Sequence, residues 1–145
     1  MTIWRNPKTI EELNRVSVGT LNQSLGILFT EIGDDFVRGT MPVDERTRQP
    51  YGLLHGGASV ALAETLGSMA ASMSVDGAEF QVVGQEINAN HVRAARGGLV
   101  TGTARPVHIG GRTHVWTIDI VNEAQKLVCT SRITMAVIKR GALAS

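Results

Sequence analysis

Residues 56–75, GGASVALAETLGSMAASMSV, decide the fold of this chain. Apolar side chains reach nearly every side of the helix that this stretch predicts, which is typical of a helix buried in a protein core. Glu64 is the only charged residue in it. A membrane span is the alternative, but Glu64 near the centre and the many Ala and Ser residues make it a poor candidate. We therefore predict no membrane span and a protein built around one long buried helix.

The residues on either side of this helix predict strands and turns. Thr9 to Glu12 forms a capping box at the start of a short N-terminal helix over 10–16. Alternating apolar and polar residues, bounded by turn residues, indicate the strands. The predicted strands lie at 26–32, 36–43, 81–93, 99–108, 112–121 and 127–138. Strands that are grouped rather than alternating with helices predict an antiparallel α+β fold whose sheet wraps the long helix.

The size and composition of the chain are typical of one globular domain. Of its 145 residues, 43% are hydrophobic and 19% are charged. We expect a single domain over 1–145, with flexible ends at 1–8 and 140–145. Cys129 is the only cysteine, so an intramolecular disulfide is excluded, and its strand pattern favours buried packing. The N-terminus lacks the apolar core of a signal peptide, so the expected location is cytoplasmic.

Charge is distributed unevenly along the chain. Residues 1–86 carry 11 acidic and 6 basic side chains, whereas residues 87–145 carry 2 acidic and 8 basic ones. The stretch 87–118 has no acidic residue and four arginines, Arg93, Arg96, Arg105 and Arg112. A solvated basic face and an anion site for phosphate both fit this pattern. Aromatic residues are only 4% of the chain, so a nucleic-acid partner is not expected.

Glu64 is the first candidate for chemistry. A carboxylate in an apolar helix is costly to bury unless it is paired, and burial raises its pKa. Because the helix has no polar face to carry Glu64, we favour a functional role over pairing with a distant arginine. Ser68 lies one turn further on the same face. It either permits close packing or hydrogen-bonds Glu64 or a water.

The start of the long helix is the second candidate. Gly56 and Gly57 expose backbone N–H groups where the helix dipole favours developing negative charge, as an oxyanion site requires. A merely flexible helix start is the alternative. His55 is either a donor that faces the substrate or an ordinary capping histidine. Gln49 is a neutral donor on the preceding loop.

The spacing of these two candidates predicts a second copy of the chain. Gly56 and Glu64 are separated by about 12 Å along a helix axis, so one small reacting centre cannot touch both within one chain. If both act, Glu64 must come from a partner whose helix lies antiparallel to the first. The side of the apolar helix that the sheet leaves open also needs a second body. Both arguments predict a homodimer.

Other chemistries find little support in the sequence. The four histidines lack the spacing of metal ligands, so no metal site is predicted. The chain has no nucleophile elbow, no phosphate-binding loop and no dinucleotide-binding glycine motif, and no cofactor is expected.

Three stretches, QPYGLLHGGAS at 49–59, AETLGS at 63–68 and GQEINANHVR at 84–93, resemble the hotdog-fold acyl-CoA thioesterases of the aryl-CoA branch. The resemblance extends from about residue 3 to residue 137. It implies a long helix inside a curled antiparallel sheet and dimers that pair into tetramers. It also implies hydrolysis of an aromatic or medium-chain acyl-CoA to the free acid and CoA.

The same resemblance implies a role for each candidate residue. Glu64 is the catalytic carboxylate, either as nucleophile or as general base on water, and Ser68 helps to position that water. The N–H of Gly56 polarises the thioester carbonyl, while His55 and Gln49 orient the thioester and its leaving group. The basic stretch meets the phosphates of CoA. The implied acyl-CoA-binding residues are Gly84, His91, Val92, Arg93, Ala94, His108, Ile109, Gly110, Gly111, Arg112 and Thr113.

Two other functions remain open from the residues. A hotdog enoyl-CoA hydratase or dehydratase would use His55 and Glu64 as an acid and a base acting on a carbon chain. A non-catalytic acyl-CoA or aromatic-ligand binding protein is the other, although Leu or Met at position 64 would suit a binding protein better than Glu.

Overall fold

The computed structural model describes residues 1–143. The elements, in chain order, are α1 Ile10–Val16, α2 Leu21–Leu25, β1 Leu28–Ile32, β2 Val37–Pro42, α3 Gly56–Met73, β3 Phe80–His91, β4 Leu99–Ile109, β5 Thr113–Val121 and β6 Leu127–Lys139. Two strands precede the long helix and four follow it, which confirms the predicted α+β class. Residues 144 and 145 of the predicted C-terminal flexible end lie outside the described residues. Flexibility at 1–8 and 140–145 stays a prediction.

The two short helices show where local sequence chemistry sets an element. The capping box of α1 is present, with the Thr9 hydroxyl accepting from the Glu12 N–H and the Glu12 carboxylate accepting from the Thr9 N–H. Helix α2 was not predicted. It begins at a Thr20 side-chain cap and ends at Gly26, whose φ of 71° is the left-handed conformation that favours glycine.

All six strands form one antiparallel sheet in the order β1-β2-β4-β5-β6-β3. Strands β1 and β3 are its edges, and the 12-residue β3 pairs only with β6 among residues 1–143. A bulge at Gln85 interrupts that pairing between Gly84 and Glu86. The curled sheet holds α3 against its concave face, as the resemblance implies.

Small residues let α3 approach the sheet closely. A Cβ on Gly102 of β4 would come within 2.7 Å of the Leu66 side chain, and one on Gly39 of β2 within 2.8 Å. A Cβ on Gly67 would come within 2.7 Å of Ile133 on β6. The helix therefore packs through Leu66 and Gly67 into the middle of the sheet, where dispersion contacts and apolar burial are greatest.

The sheet covers only one face of α3. That face is fully buried and includes Leu62, Ala63, Leu66 and Ala70. The opposite face is partly exposed and consists of Val60, Ala61, Glu64, Thr65, Ser68, Met69 and Ser72. Within residues 1–143, no helix combines the length and apolar character that crossing a membrane would need.

The N-terminal segment lies beside the end of α3. Arg5 and Asn6 both donate backbone hydrogen bonds to the Met73 carbonyl at 2.9 Å. The Trp4 ring stacks on Trp116 of β5, with ring centroids 6.3 Å apart. These contacts hold Asn6 next to the loop that joins α3 to β3.

Candidate active site

The Glu64 side chain lines a groove of about 440 Å³ along the partly exposed face of α3. Ser68 and Ser72 follow it at successive turns of the helix, and Phe80 and Val82 of β3 form part of the opposite wall. The groove therefore has an acidic group at one position and a mixed polar and apolar lining along its length.

The carboxyl group of Glu64 makes no ion pair with any residue in 1–143. Burial raises its pKa above the ordinary value of 4.5, and no cation lies close enough to lower it. Such a carboxyl holds its proton more tightly than an exposed one and is correspondingly a stronger base when ionised. This is the environment that the apolar helix predicts.

Gly84 of β3 faces this carboxylate. A Cβ atom on residue 84 would collide with Oε1 of Glu64. The structure therefore places Gly84 beside the candidate catalytic group rather than with the other predicted acyl-CoA-binding residues. The bulge at Gln85 changes the strand register next to this contact.

The Ser68 hydroxyl points away from Glu64 in this conformation. It lies 3.8 Å from Sδ of Met135, a weak acceptor. The hydroxyl can rotate about its χ1 bond into the groove, because Ser68 lines the same cavity as Glu64. A direct Ser68–Glu64 hydrogen bond, one of the expectations from the sequence, is not formed here.

The N-terminus of α3 carries an open donor. His55 is the cap: its Nδ1 accepts from the Gly57 N–H at 2.8 Å. A neutral His55 therefore carries its proton on Nε2, which leaves that N–H as a donor. The Gly56 N–H has no partner within residues 1–143. Both interpretations of His55 thus fit, since one nitrogen caps the helix and the other is available.

His91 and Gln49 lie beside this helix start. A Cβ on Gly56 would come within 2.8 Å of Nε2 of His91. Gln49 lines a groove of about 340 Å³ together with Leu53 and Leu54 from its own loop, and residues 91–94 from the end of β3. The structure therefore brings Gln49, Gly56 and the predicted 91–94 stretch to one place.

Glu64 and the Gly56 end of the helix do not meet within one chain. The groove of Glu64 and the groove of Gln49 share no lining residue. This agrees with the separation of about 12 Å along the helix axis. Within residues 1–143, Glu64 and Gln49 therefore lie in two separate grooves.

The predicted stretch 108–113 forms the β4–β5 hairpin and lines neither groove. The Gly110 N–H donates to the Thr113 carbonyl at 3.0 Å and closes the turn. Ile109, Gly110 and Gly111 line a cavity of about 380 Å³ with the buried His114. Burial is the main factor that lowers the pKa of His114, and nearby His108 lowers it further.

The basic stretch is less uniform in space than in sequence. Arg105 pairs with Asp35 at 3.0 Å and lies over the Phe36 ring, so its charge has a partner from the first half of the chain. Arg93 and Arg112 are exposed and make no ion pair within residues 1–143. Arg96 is likewise exposed and makes no ion pair in these residues, so three arginines of the stretch remain available for an anion.

Sequence reasoning did not find the far wall of the Glu64 groove. Asn6, Asn22, Gln81 and Arg140 line it, from four separate parts of the chain. Only Asn22 has a nearby sequence signal, since it follows the helix-capping Thr20. The other three are brought together by the N-terminal segment and the ends of β3 and β6. In the part of the chain that the structure describes, no three His, Cys, Asp or Glu side chains are arranged to hold a metal ion.

The chain is similar in sequence and in structure to known thioesterases. The family model described as Thioesterase superfamily matches residues 51–129. The chain is 52% identical to the 1,4-dihydroxy-2-naphthoyl-CoA hydrolase of Escherichia coli strain K12, over 94% of this chain and 99% of that protein. It is 50% identical to the proofreading thioesterase EntH of Cronobacter sakazakii, over 94% and 98% of the two chains. A thioesterase crystal structure from Haemophilus influenzae superposes with a TM-score of 0.95 and 45% identity, over 99% of this chain and 100% of that one.

Proposed function

The chain belongs to the thioesterase superfamily and is a thioester hydrolase, and from this premise we propose that Glu64 drives the hydrolysis of an acyl-CoA. The observation that carries the proposal is the Glu64 carboxyl itself, which lies in a groove without an ionic partner and has a pKa raised by burial. The two relatives named above, one a naphthoyl-CoA hydrolase and the other a thioesterase, support an acyl-CoA as the substrate.

The carboxylate of Glu64 can act either as a general base or as a nucleophile. As a general base it takes a proton from a water, whose oxygen attacks the thioester carbon. As a nucleophile it attacks that carbon itself, and water then cleaves the resulting anhydride. In the first route the proton that Glu64 takes from water passes to the sulfur as the C–S bond breaks, whereas in the second the C–S bond breaks as the anhydride forms and the thiolate takes its proton from water. Both routes release the free acid and the CoA thiol. Ser68 lines the same groove, where its hydroxyl can orient the water.

The Gly56 half-site supplies the complementary chemistry. Its unpartnered N–H, at the positive end of the α3 dipole, donates to the carbonyl oxygen as negative charge develops there. The free Nε2–H of His55 and the amide of Gln49 are placed to orient the thioester. Because these groups and Glu64 lie in separate grooves of one chain, a complete centre requires a second chain.

A homodimer meets that requirement. The partly exposed face of α3 carries Glu64, and the free edge of β3 lies beside it. The second edge of the 12-residue β3, which no strand within residues 1–143 covers, is a surface on which a second copy can continue the sheet. With the two α3 helices antiparallel, each Glu64 lies near the other chain's Gly56. Pairing of two such dimers into a tetramer is part of the proposal.

The remaining predicted residues are proposed to bind CoA. Arg93, next to the Gln49 groove, and Arg112, on the β4–β5 hairpin, offer unpaired guanidinium groups to the phosphates. Both are exposed, as binding to a soluble nucleotide requires. The single-domain organisation over 1–145 and the cytoplasmic location likewise stay predictions.

A thiol-release assay with acyl-CoA substrates tests the proposal. Glu64→Gln keeps the shape of the side chain but can neither attack nor act as a base. It should lower kcat by at least about 10²-fold. Glu11→Gln is the matched control, because Glu11 is an exposed carboxylate of α1 that lies neither in the groove nor on β3. Hydrolysis by Glu64→Gln at close to the parent rate would refute the assignment.

A further inference from the structure

The groove of Glu64 ends in a cluster of polar donors at Gly77. Arg140 donates from Nε to the Gly77 carbonyl at 2.8 Å, which fixes the guanidinium at this end. On the other side of the same glycine, a Cβ on Gly77 would come within 2.5 Å of the Asn6 amide nitrogen. Arg140, Asn6 and Gln81 all line the cavity that Glu64 lines. This set of three residues is called the distal cluster below.

Apart from Nε of Arg140, the side-chain donors of the distal cluster have no protein partner within residues 1–143, and Arg140 is exposed whereas Asn6 and Gln81 are half-buried. The two terminal nitrogens of Arg140 make neither an ion pair nor a hydrogen bond there. The nearby Asp76 carboxylate accepts instead from the Ala78 N–H. By contrast, Asn22 in the same groove is already engaged with the Thr65 hydroxyl at 2.9 Å. Among the described residues of this groove, the distal cluster therefore supplies the only cationic donor, together with two amide donors, for a ligand.

The distal cluster is remote from Glu64. Ser72 lies two turns beyond Glu64, about 12 Å along the axis of α3, and the cluster lies past it at Gly77. The pKa of Glu64 is raised by burial alone, without any lowering by Arg140, which agrees with that separation. The groove therefore carries a negative group at one end and a positive group at the other.

We propose that the distal cluster recognises a carboxylate at the far end of the acyl group, so that the substrate is the mono-CoA thioester of a dicarboxylic acid. This inference rests on the proposed function, since it takes Glu64 to be the group at the thioester. The terminal nitrogens of Arg140 match a carboxylate in charge and in their paired geometry. Repulsion by Glu64 and attraction by Arg140 orient such a substrate with its free carboxylate away from the reacting bond.

An apolar acyl tail suits this end poorly. It would displace water from the guanidinium and the two amides without replacing their hydrogen bonds. A ligand that carries a matching acceptor is therefore favoured over one that lacks it. For a charged donor we expect a preference of at least about tenfold in kcat/KM.

The test compares suberoyl-CoA with octanoyl-CoA, which have the same chain length and differ at the far end. The parent should favour suberoyl-CoA, and Arg140→Gln should lower the suberoyl-to-octanoyl ratio of kcat/KM by about tenfold. Lys139→Gln is the matched control, because it removes the same charge from the neighbouring residue, which does not line the groove. The ratio is independent of the fraction of folded enzyme, so a poorly folded variant still gives an answer.

The outcomes separate this inference from the proposed function. If both substrates are hydrolysed and Arg140→Gln leaves the ratio as in the parent, the distal cluster does not read the carboxylate and the inference is overturned. If 8-hydroxyoctanoyl-CoA is hydrolysed with the same kcat/KM as suberoyl-CoA, the cluster recognises any hydrogen-bond acceptor rather than an anion. The assignment of a dicarboxylic substrate is then wrong. If no acyl-CoA releases thiol, the proposed function itself fails.

Discussion

Gly84 of β3 lies against the carboxylate of Glu64 so closely that a Cβ atom on residue 84 would come within 2.3 Å of Oε1. The strand and the helix are adjacent in the fold but separated by the α3–β3 loop in sequence. Gly84 thus leaves room for one orientation of the Glu64 side chain. The φ of Gly84 is not positive, so a side chain at this position would be opposed by the Glu64 carboxylate and not by the backbone conformation of the strand.

Gly84→Ala should therefore displace the Glu64 carboxylate and lower kcat. Misplacement of a reacting group by about 1 Å can cost about 10²-fold in rate, and we expect a loss of at least about tenfold. Gly97→Ala is the control, since a Cβ there meets no atom within 4 Å. Steady-state kinetics and thermal unfolding of both variants check the prediction. Parent-like kcat in Gly84→Ala would show that Glu64 has freedom that the structure does not indicate.

The pH dependence of stability should report the raised pKa of Glu64. The folded protein binds this proton more tightly than the unfolded chain, so the free energy of unfolding falls as pH rises from 4.5 through the raised pKa, and then levels off. The Glu64→Gln variant has no titratable group at position 64, so its free energy of unfolding does not fall for this reason. Its Tm relative to the parent should rise across the same window and stay constant above it. A Tm difference that is the same at every pH would contradict the assignment.

The pH dependence of activity should follow the same group. Hydrolysis needs the ionised carboxylate, so kcat/KM should fall on the acid side with an apparent pKa above 4.5. A pH–rate profile of the parent at saturating and limiting substrate measures it. An apparent pKa at or below 4.5 on the acid side of the profile would mean that another group governs the rate.

Glu64→Asp distinguishes the two proposed routes. The shorter side chain withdraws the carboxylate by one methylene, which a bridging water can span but a direct attack cannot. Partial activity in Glu64→Asp, well above that of Glu64→Gln, is expected for general-base catalysis. Activity as low as in Glu64→Gln would favour the nucleophilic route.

Much of this architecture could be predicted from sequence because strong periodicity sets it. Helix α3 and strands β3 to β6 lie within a few residues of their predicted bounds. Helix α2 was not predicted, because five residues are too few to show a helical pattern of apolar side chains. Only the capping residues Thr20 and Gly26 indicate it.

The sequence named candidate site residues, whose roles stay predictions, but it did not indicate which other side chains surround them. Arg105 belongs to a stretch without acids, yet it pairs with Asp35 across the sheet edge. Asn6 and Arg140 meet at Gly77 only because the N-terminal segment and the end of β6 converge there. Such contacts depend on strand order and register, which local patterns do not encode.

Arg93→Ala and Arg112→Ala should raise KM for an acyl-CoA more than they lower kcat. Contacts with the phosphates are the same in the ground state and the transition state, so their loss weakens binding uniformly. The effect should shrink with an N-acetylcysteamine thioester, which lacks the nucleotide. Arg132→Ala, at an exposed position of β6, is the control. Equal losses on both substrates would refute phosphate binding.

Subunit mixing tests whether the centre is shared between chains. In the proposed dimer, Glu64→Gln disables one half of each site, and Gly56→Val disables the other, because a side chain at position 56 would collide with His91. Either variant alone should be nearly inactive. After the two are unfolded together and refolded, random pairing across a two-fold interface gives hybrids with one intact site, and about a quarter of the parent activity per chain should return.

If Glu64 instead acted with Gly56 of its own chain, each chain of every hybrid would keep its defect and the mixture would stay inactive. Sedimentation of the mixture at micromolar concentration provides the accompanying check, since a monomer with full activity would contradict a shared site.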